Sequence, residues 1–135
     1  MAIAVDTTAS NVKPMDGALV RNYKAGSAIS PGHPVVMSSD GYIDSADSDA
    51  LATNTCIGIA LPPRNGGTAY ALGDMVAVVV WGGVQCVTGG TPGAYAYTGA
   101  TAGDINETAG TKSFIIGFVE TATVIFVRPT PITLS

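Results

Sequence analysis

The stretch "SPGHPVVMSSDGYIDSAD" (residues 30–47) is echoed in the second half of the chain by "TPGAYAYTGATAGDINETA" (residues 91–109). Each begins with a hydroxyl residue and Pro-Gly, alternates between apolar and other residues, turns near Asp or Gly, and alternates again. Pro fixes φ at about −65° for the first corner of a turn, and Gly accepts the positive φ that follows. The alternation predicts a β-hairpin after each turn. The chain therefore carries the same hairpin twice.

The echo extends on both sides of the hairpins. Before them, "ALVRNYKAGSAISPG" (18–32) aligns with "GGVQCVTGGTPG" (82–93), and after them "CIGIAL" (56–61) aligns with "FIIGFV" (114–119). A further apolar strand follows in each half, "DMVAVVVW" (74–81) and "ATVIFVRP" (122–129). Two repeats are too few for a solenoid. We predict an all-β fold, a small sandwich or barrel made of two similar β units at residues 17–80 and 81–128.

Short β-branched and aromatic runs bounded by Gly and Pro supply the strand predictions. The run around Trp81 is apolar on both faces, which predicts a strand between two packed layers or between subunits. Residues 1–16 are predicted as an extended N-terminal arm and residues 129–135 as a C-terminal tail. The predicted strands cover residues 18–23, 34–37, 41–44, 56–61, 75–81, 84–87, 94–97, 114–120 and 122–127.

Composition narrows the classes of partner. Charged residues make up 12% of the chain, against about 25% in an average soluble protein. The net charge of −4 argues against nucleic-acid binding. The longest apolar run, residues 75–84, is about half of the roughly 20 residues that a membrane-spanning helix needs. We also expect no secretory signal, and we attribute the surplus of apolar residues to contacts between subunits.

Candidate chemistry is sparse. His33, the single histidine, lies between Gly32 and Pro34 without a nucleophile or further metal ligands in sequence, and is predicted to be an exposed turn residue. The acidic residues of 40–49 lack the spacing of a calcium loop and are predicted to form a solvated loop, with calcium binding as the alternative. Cys56 and Cys86 are predicted to be buried thiols, with a disulfide as the alternative. We therefore predict no catalytic residue, no metal and no cofactor.

The large aromatic side chains are candidates for protein contacts. Trp81, Tyr95 and Tyr97 lie on or beside predicted strands and combine an apolar ring with a polar atom. Aromatic residues are enriched in cores and in interfaces alike. Core or rim packing and a subunit interface therefore both remain open for these three residues.

The run "ALVRNYKAGSAISPGHPVVMSSDGYIDSAD" (18–47), followed by "CIGIAL" and "GDMVAVVVWG" (73–82), resembles the small head decoration, or cement, proteins of tailed bacteriophages. The shared features are a G-A-x-V-x-N-Y start, a Gly-containing turn, a "DG" hairpin and a glycine-containing strand. They are many short matches across roughly residues 17–128. The chain departs from the family in its longer apolar strand around Trp81 and its Pro-rich tail.

The resemblance implies a non-enzymatic virion protein that binds the outer surface of the expanded capsid, often as a trimer. It implies the major capsid protein and further copies of this chain as partners, with synthesis in the host cytoplasm. A receptor- or glycan-binding module of a head fibre or tail is the alternative, and a small hydrolase is a third possibility. We expect shell contacts from the arm and subunit contacts from the aromatics; the residues are Ile3, Val5, Val12 and Met15 for the shell, and Trp81, Tyr95 and Tyr97 for the subunits.

Overall fold

The computed structural model describes residues 3–6, 8–38, 40–45, 55–64, 67–98, 103–108 and 114–130. These residues are almost entirely β, which confirms the predicted all-β class. A short 3-10 helix, Ala9–Asn11, is the one helical element among them. In chain order the strands are β1 (Ala4–Val5), β2 (Lys13–Pro14), β3 (Leu19–Lys24), β4 (Pro34–Met37), β5 (Ile43–Ser45), β6 (Thr55–Ala60), β7 (Met75–Gln85), β8 (Val87–Thr88), β9 (Tyr95–Thr98), β10 (Ile105–Asn106), β11 (Ile115–Thr121) and β12 (Val124–Thr130).

Ten of the strands form one sheet, which curls into a half-barrel. Its order is β10-β9-β11-β12-β7-β6-β4-β5, and β2 and β3 pair with β7 away from this path. The strand pairs within it are antiparallel. A separate antiparallel pair joins β1 to β8.

The order of the sheet repeats outward from its centre. From β7 it runs through β6 and β4 to β5, and from β12 it runs through β11 and β9 to β10. The two Pro-Gly turns are held in the same way, because the Gly32 N–H donates to Ala60 O at 2.9 Å and the Gly93 N–H donates to Val119 O at 2.8 Å. Both glycines have positive φ, 83° and 89°. The repeat in the sequence is therefore a repeat in the fold.

Strand β7 joins the two units. The sequence predicted separate strands at 75–81 and 84–87, but β7 is continuous from Met75 to Gln85. Its first part pairs with β3 and β6, and its last four residues pair with β12. Gly82 allows this continuity, because a Cβ there would lie 2.8 Å from the Cα of Ala18. The boundary predicted between residues 80 and 81 therefore falls inside a strand.

The core lies on both faces of β7. Ala77 and Val79 belong to a cluster that spans both units, and Val76 and Val78 belong to a second cluster in the first unit. All four side chains are buried. The apolar run was predicted to lie between two packed layers or between subunits, and its residues 76–79 lie between the two core clusters, while Met75 and Trp81 are exposed.

The described residues of the N-terminal segment, 3–6 and 8–16, lie along the sheet. β1 pairs with β8, β2 pairs with the end of β7, and the 3-10 helix connects them. Ile3 and Val12 join the core cluster that spans both units. At the other end of the chain β12 extends to Thr130, and the rest of the predicted tail lies outside the described residues.

Candidate functional site: an aromatic face on the second unit

A row of aromatic side chains crosses the sheet of the second unit. Tyr95 on β9 lies opposite Phe118 on β11, and Phe118 lies opposite Phe126 on β12. Phe126 in turn lies opposite Gly83 on β7. Residues directly opposite in antiparallel strands present their side chains on the same face. The register of the strands therefore places these aromatic side chains in one row.

Ring contacts extend the row at both ends. The Phe118 and Phe126 rings stack, with centroids 5.3 Å apart and planes 19° apart. The Trp81 ring meets Phe126 edge to face at 5.7 Å, and the Tyr95 and Tyr97 rings meet edge to face at 6.2 Å. We call these five residues, Trp81, Tyr95, Tyr97, Phe118 and Phe126, the aromatic face.

The aromatic face is accessible at Trp81 and at Tyr95. Trp81 is 46% exposed and Tyr95 is 53% exposed, while the two phenylalanines between them are half-buried. Leu19, which pairs with Trp81 across β3 and β7, is 60% exposed and enlarges the apolar surface. A contiguous exposed patch of apolar and aromatic side chains often marks a site of interaction with another molecule.

Charged and flexible side chains border the face. The Arg128 guanidinium lies over the Phe118 ring, 5.5 Å from its centroid. Met15 lies against the backbone of Gly83, because a Cβ at Gly83 would be 2.9 Å from the Met15 Cγ. The same Cβ would be 3.4 Å from the Glu120 Oε1. An apolar centre with a mixed-charge border is the usual composition of a protein interface.

The structure brings together the three residues predicted for subunit contact, Trp81, Tyr95 and Tyr97. Phe118 and Phe126, which connect them, were missed in the sequence. Phe118 lies in "FIIGFV" and Phe126 lies in "VIFVRP". Pairing these two strands as a hairpin would have placed both rings on one face of the sheet. That these residues contact another subunit stays a prediction.

The four residues predicted for shell contact are dispersed. Ile3 and Val12 are only 8% and 2% exposed and lie in the core, and the half-buried Val5 packs against it. Met15 alone of the four borders the aromatic face. Their contact with a shell stays a prediction, and for Ile3 and Val12 it would require the segment to leave the sheet.

His33 is half-buried, although the sequence predicted an exposed turn residue. Its Nδ1 lies 2.9 Å from the Ser45 Oγ, and its ring packs against Gly103, where a Cβ would be 2.6 Å away. Gly103 of the second unit thus packs against the turn of the first. Burial lowers the pKa of His33, and the Asp104 carboxylate acts in the opposite direction.

The two cysteines are free and buried, as predicted. Burial raises the pKa of the Cys56 thiol to about 12. Burial and the nearby Asp6 carboxylate raise the pKa of the Cys86 thiol. Since the thiolate is the reactive form of cysteine, both side chains act as small apolar groups at neutral pH.

Within the described ranges no group of three His, Cys, Asp or Glu side chains is placed to hold a metal ion. Over the same ranges no helix is long and apolar enough to cross a membrane.

No protein-family model matches the chain, and no curated protein matches it.

Proposed function

We propose that this protein is a capsid decoration protein of a tailed bacteriophage, which binds the outside of the head and stabilises contacts between major capsid proteins. The observation that carries the proposal is the aromatic face, an accessible apolar surface fixed by the register of four strands. An accessible apolar surface of this kind is suited to a stable protein–protein interface. The resemblance of residues 17–128 to the decoration family supports the same role.

The aromatic face is the contact between copies of this chain in the proposal, and three copies form the decorating unit. Trp81 and Tyr95 offer the largest exposed rings of the face, and buried aromatic anchors carry much of the binding energy of interfaces. The scaffold below them is a continuous antiparallel sheet, so the contact needs little ordering when it forms.

The direct test adds purified protein to undecorated, expanded phage heads and counts the bound copies. We expect saturation at a fixed number of copies per capsomer. A protein that leaves such heads unoccupied at saturating concentration would contradict the proposal.

The subunit contact has its own variant. Trp81→Ser combined with Tyr95→Ser removes both exposed rings, and we expect the sedimenting species to shift from an oligomer to a monomer. Leu72→Ser is the matched control, because Leu72 is a 69% exposed apolar residue in the turn before β7. An oligomer that survives the double variant would place the subunit contact elsewhere.

A glycan- or receptor-binding module is the second candidate, favoured by the exposure of Trp81 and Tyr95. Exposed aromatic rings with polar edges also suit contact with sugars. A glycan array discriminates the two functions. Saturable binding of one glycan that Trp81→Ser abolishes, together with only a few copies per purified particle, would favour the second candidate over capsid decoration.

A further inference from the structure

In the part of the chain that the structure describes, the outer edge of β3 has no strand beside it. β3 pairs with β7 along one edge, and no described strand pairs with Leu19–Lys24 along the other. Only at its end does the neighbouring Ala25 form a bridge to Ile43. Leu19 and Val20 are 60% and 39% exposed. An unpaired strand edge of this kind is a template for a further strand.

The phase of the backbone shows which groups are available. The Ala25 N–H points towards β7, since it donates to Asp74 O at 2.8 Å. Alternate residues of an antiparallel strand turn their N–H and C=O groups to opposite edges. Counting back from Ala25, Val20 and Asn22 direct their N–H and C=O groups outward. A strand added there could bond to both residues.

The second unit shows what covers the equivalent edge. The stretch aligned with β3 is residues 82–88, and the N-terminal segment runs antiparallel along its outer side. The Met15 N–H donates to Gly83 O and the Asp6 N–H donates to Cys86 O, each at 2.8 Å. The fold therefore accommodates an extended antiparallel segment at this position, and β3 lacks one within the described residues.

Charge indicates the chemistry of the segment that would fit. Arg21 and Lys24 lie on β3 and are two of the six cations of a chain with net charge −4. Arg21 forms no ion pair with any residue that the structure describes, and the Lys24 ammonium lies 5.5 Å from the centroid of the Tyr42 ring. Two β3 strands placed side by side would bring like charges together, which is unfavourable. An acidic segment would be attracted.

We propose that the outer edge of β3 binds an extended acidic segment of another protein as an added antiparallel strand. This deepens the proposed function and rests on it for the source of the segment, a capsid protein. It assigns shell contact to β3, because Ile3 and Val12 are already committed to the core. The backbone bonds would supply affinity, and Arg21 and Lys24 would select for negative charge.

Amide exchange tests the edge without phage heads. The probe is the peptide acetyl-EVEVEV-amide, and acetyl-KVKVKV-amide is its control. We expect the acidic peptide to slow exchange of the Val20 and Asn22 amides at least tenfold, and less at high salt, while the lysine peptide has no effect. The Arg21 and Tyr23 amides, which face β7, report on the ladder. Unchanged exchange at Val20 and Asn22 would overturn the proposal.

Binding to undecorated heads separates this inference from the proposed function. Asn22→Pro removes the outward N–H and leaves the β7 ladder its donors, a change that edge strands tolerate. We expect head affinity to fall at least tenfold for Asn22→Pro and for Arg21→Glu combined with Lys24→Glu. Asn22→Ala, which keeps the N–H, should stay within twofold of wild type. Circular dichroism and thermal melting confirm that each variant is folded.

Each outcome has one meaning. If wild type and all variants bind heads equally, the edge is not the docking site and capsid decoration stands. If wild type binds the acidic peptide but no heads, the edge inference stands and the proposed source of the segment fails. Protection of Val20 and Asn22 that rises with protein concentration in the absence of peptide identifies a second copy as the occupant and overturns the acidic partner.

Discussion

Gly58 and Gly117 occupy equivalent positions in the two units and explain why an Ile-Gly strand occurs in both. A Cβ at Gly58 would overlap the carbonyl oxygen of Val79, and a Cβ at Gly117 would overlap the carbonyl oxygen of Phe126. The glycine therefore lets β6 approach β7 closely in the first unit, and it lets β11 approach β12 closely in the second unit. Both approaches coincide with a bulge, in β6 against β4 and in β11 against β12.

Gly117→Ala tests this close approach. Gly117 has no positive φ, so the steric overlap alone is at issue. We expect the free energy of unfolding in urea to fall by about 3 kcal/mol, the upper range for overpacking. Gly41→Ala is the comparison, because its φ of 85° costs about 1 kcal/mol while its Cβ meets nothing within 4 Å. Equal losses in the two variants would contradict the overlap.

His33 makes stability depend on pH near neutrality. Burial lowers the pKa of the folded imidazole, and the unfolded imidazole titrates at about 6.5. The unfolded chain therefore binds the proton more readily, so the stabilisation is present above about pH 6.5 and is lost as the pH falls through the lowered folded pKa. We expect the free energy of unfolding to fall between about pH 7.5 and about pH 5.5.

The His33→Ala variant isolates that contribution. Alanine already occupies the equivalent turn position, residue 94, so the backbone accepts it. The variant loses the Ser45 hydrogen bond at both pH values, and the comparison therefore concerns the change with pH. We expect a smaller fall in the free energy of unfolding over this interval than in wild type. An identical fall would assign the pH dependence to other groups.

At the scale of the elements, the N-terminal segment pairs with the sheet and contributes side chains to the core. β1 and β2 cover the outer edge of residues 83–88, and Val12 between them is 2% exposed. Edge coverage of this kind prevents association through unpaired strands. The segment therefore protects one unit, while the equivalent edge on β3 has no strand beside it among the residues that the structure describes.

Val12→Ala measures how firmly the segment is attached. Removing two buried methyl groups leaves a cavity in the core, and we expect a loss of about 2 kcal/mol in the free energy of unfolding. Lys13→Ala, one residue further on and exposed, should change it by less than about 0.5 kcal/mol. A loss at Val12 as small as that at Lys13 would mean that the segment leaves the sheet readily.

Local patterns in the sequence predicted the hairpins and their turns. The Pro-Gly pairs, the alternation after them and the Ile-Gly strands are short-range features, and β4, β5, β9 and β11 lie close to their predicted positions. The continuity of β7 through Gly82 and Gly83 was missed, because two adjacent glycines ordinarily indicate a break. The structure shows why glycine is needed at both positions: Gly82 has a φ of 111° and a Cβ there would lie 2.8 Å from the Ala18 Cα, and a Cβ at Gly83 would lie 2.9 Å from the Met15 Cγ.

The aromatic face was predictable only in part, because it depends on the pairing of strands distant in sequence. The sequence indicated contact residues by their large aromatic side chains, and these were Trp81, Tyr95 and Tyr97. The positions of Phe118 and Phe126 between them follow from the registers of β9, β11 and β12. The burial of Ile3 and Val12 likewise depends on the pairing of β1 and β2 with residues between 84 and 88. A short apolar run near a terminus does not reveal such a partner.

At the scale of the whole molecule, two accessible surfaces lie on one curled sheet. The aromatic face belongs mainly to the second unit and the β3 edge to the first, and β7 connects them through the pairing of Leu19 with Trp81. In the proposed assembly the aromatic face joins copies and each β3 edge holds one shell segment. Several weak edge contacts then act together, which raises the overall affinity without any new contact.

Avidity makes this arrangement measurable. The variant combining Trp81→Ser with Tyr95→Ser keeps Asn22, Arg21 and Lys24, so its affinity for the acidic peptide should stay within twofold of wild type. Its affinity for undecorated heads should fall about 100-fold, because each monomer holds one segment where the oligomer holds several. Most of that loss should appear as faster dissociation from the heads. Equal head affinity for the variant and wild type would mean that the copies bind independently, and a parallel loss of peptide binding would mean that the aromatic residues belong to the edge site itself.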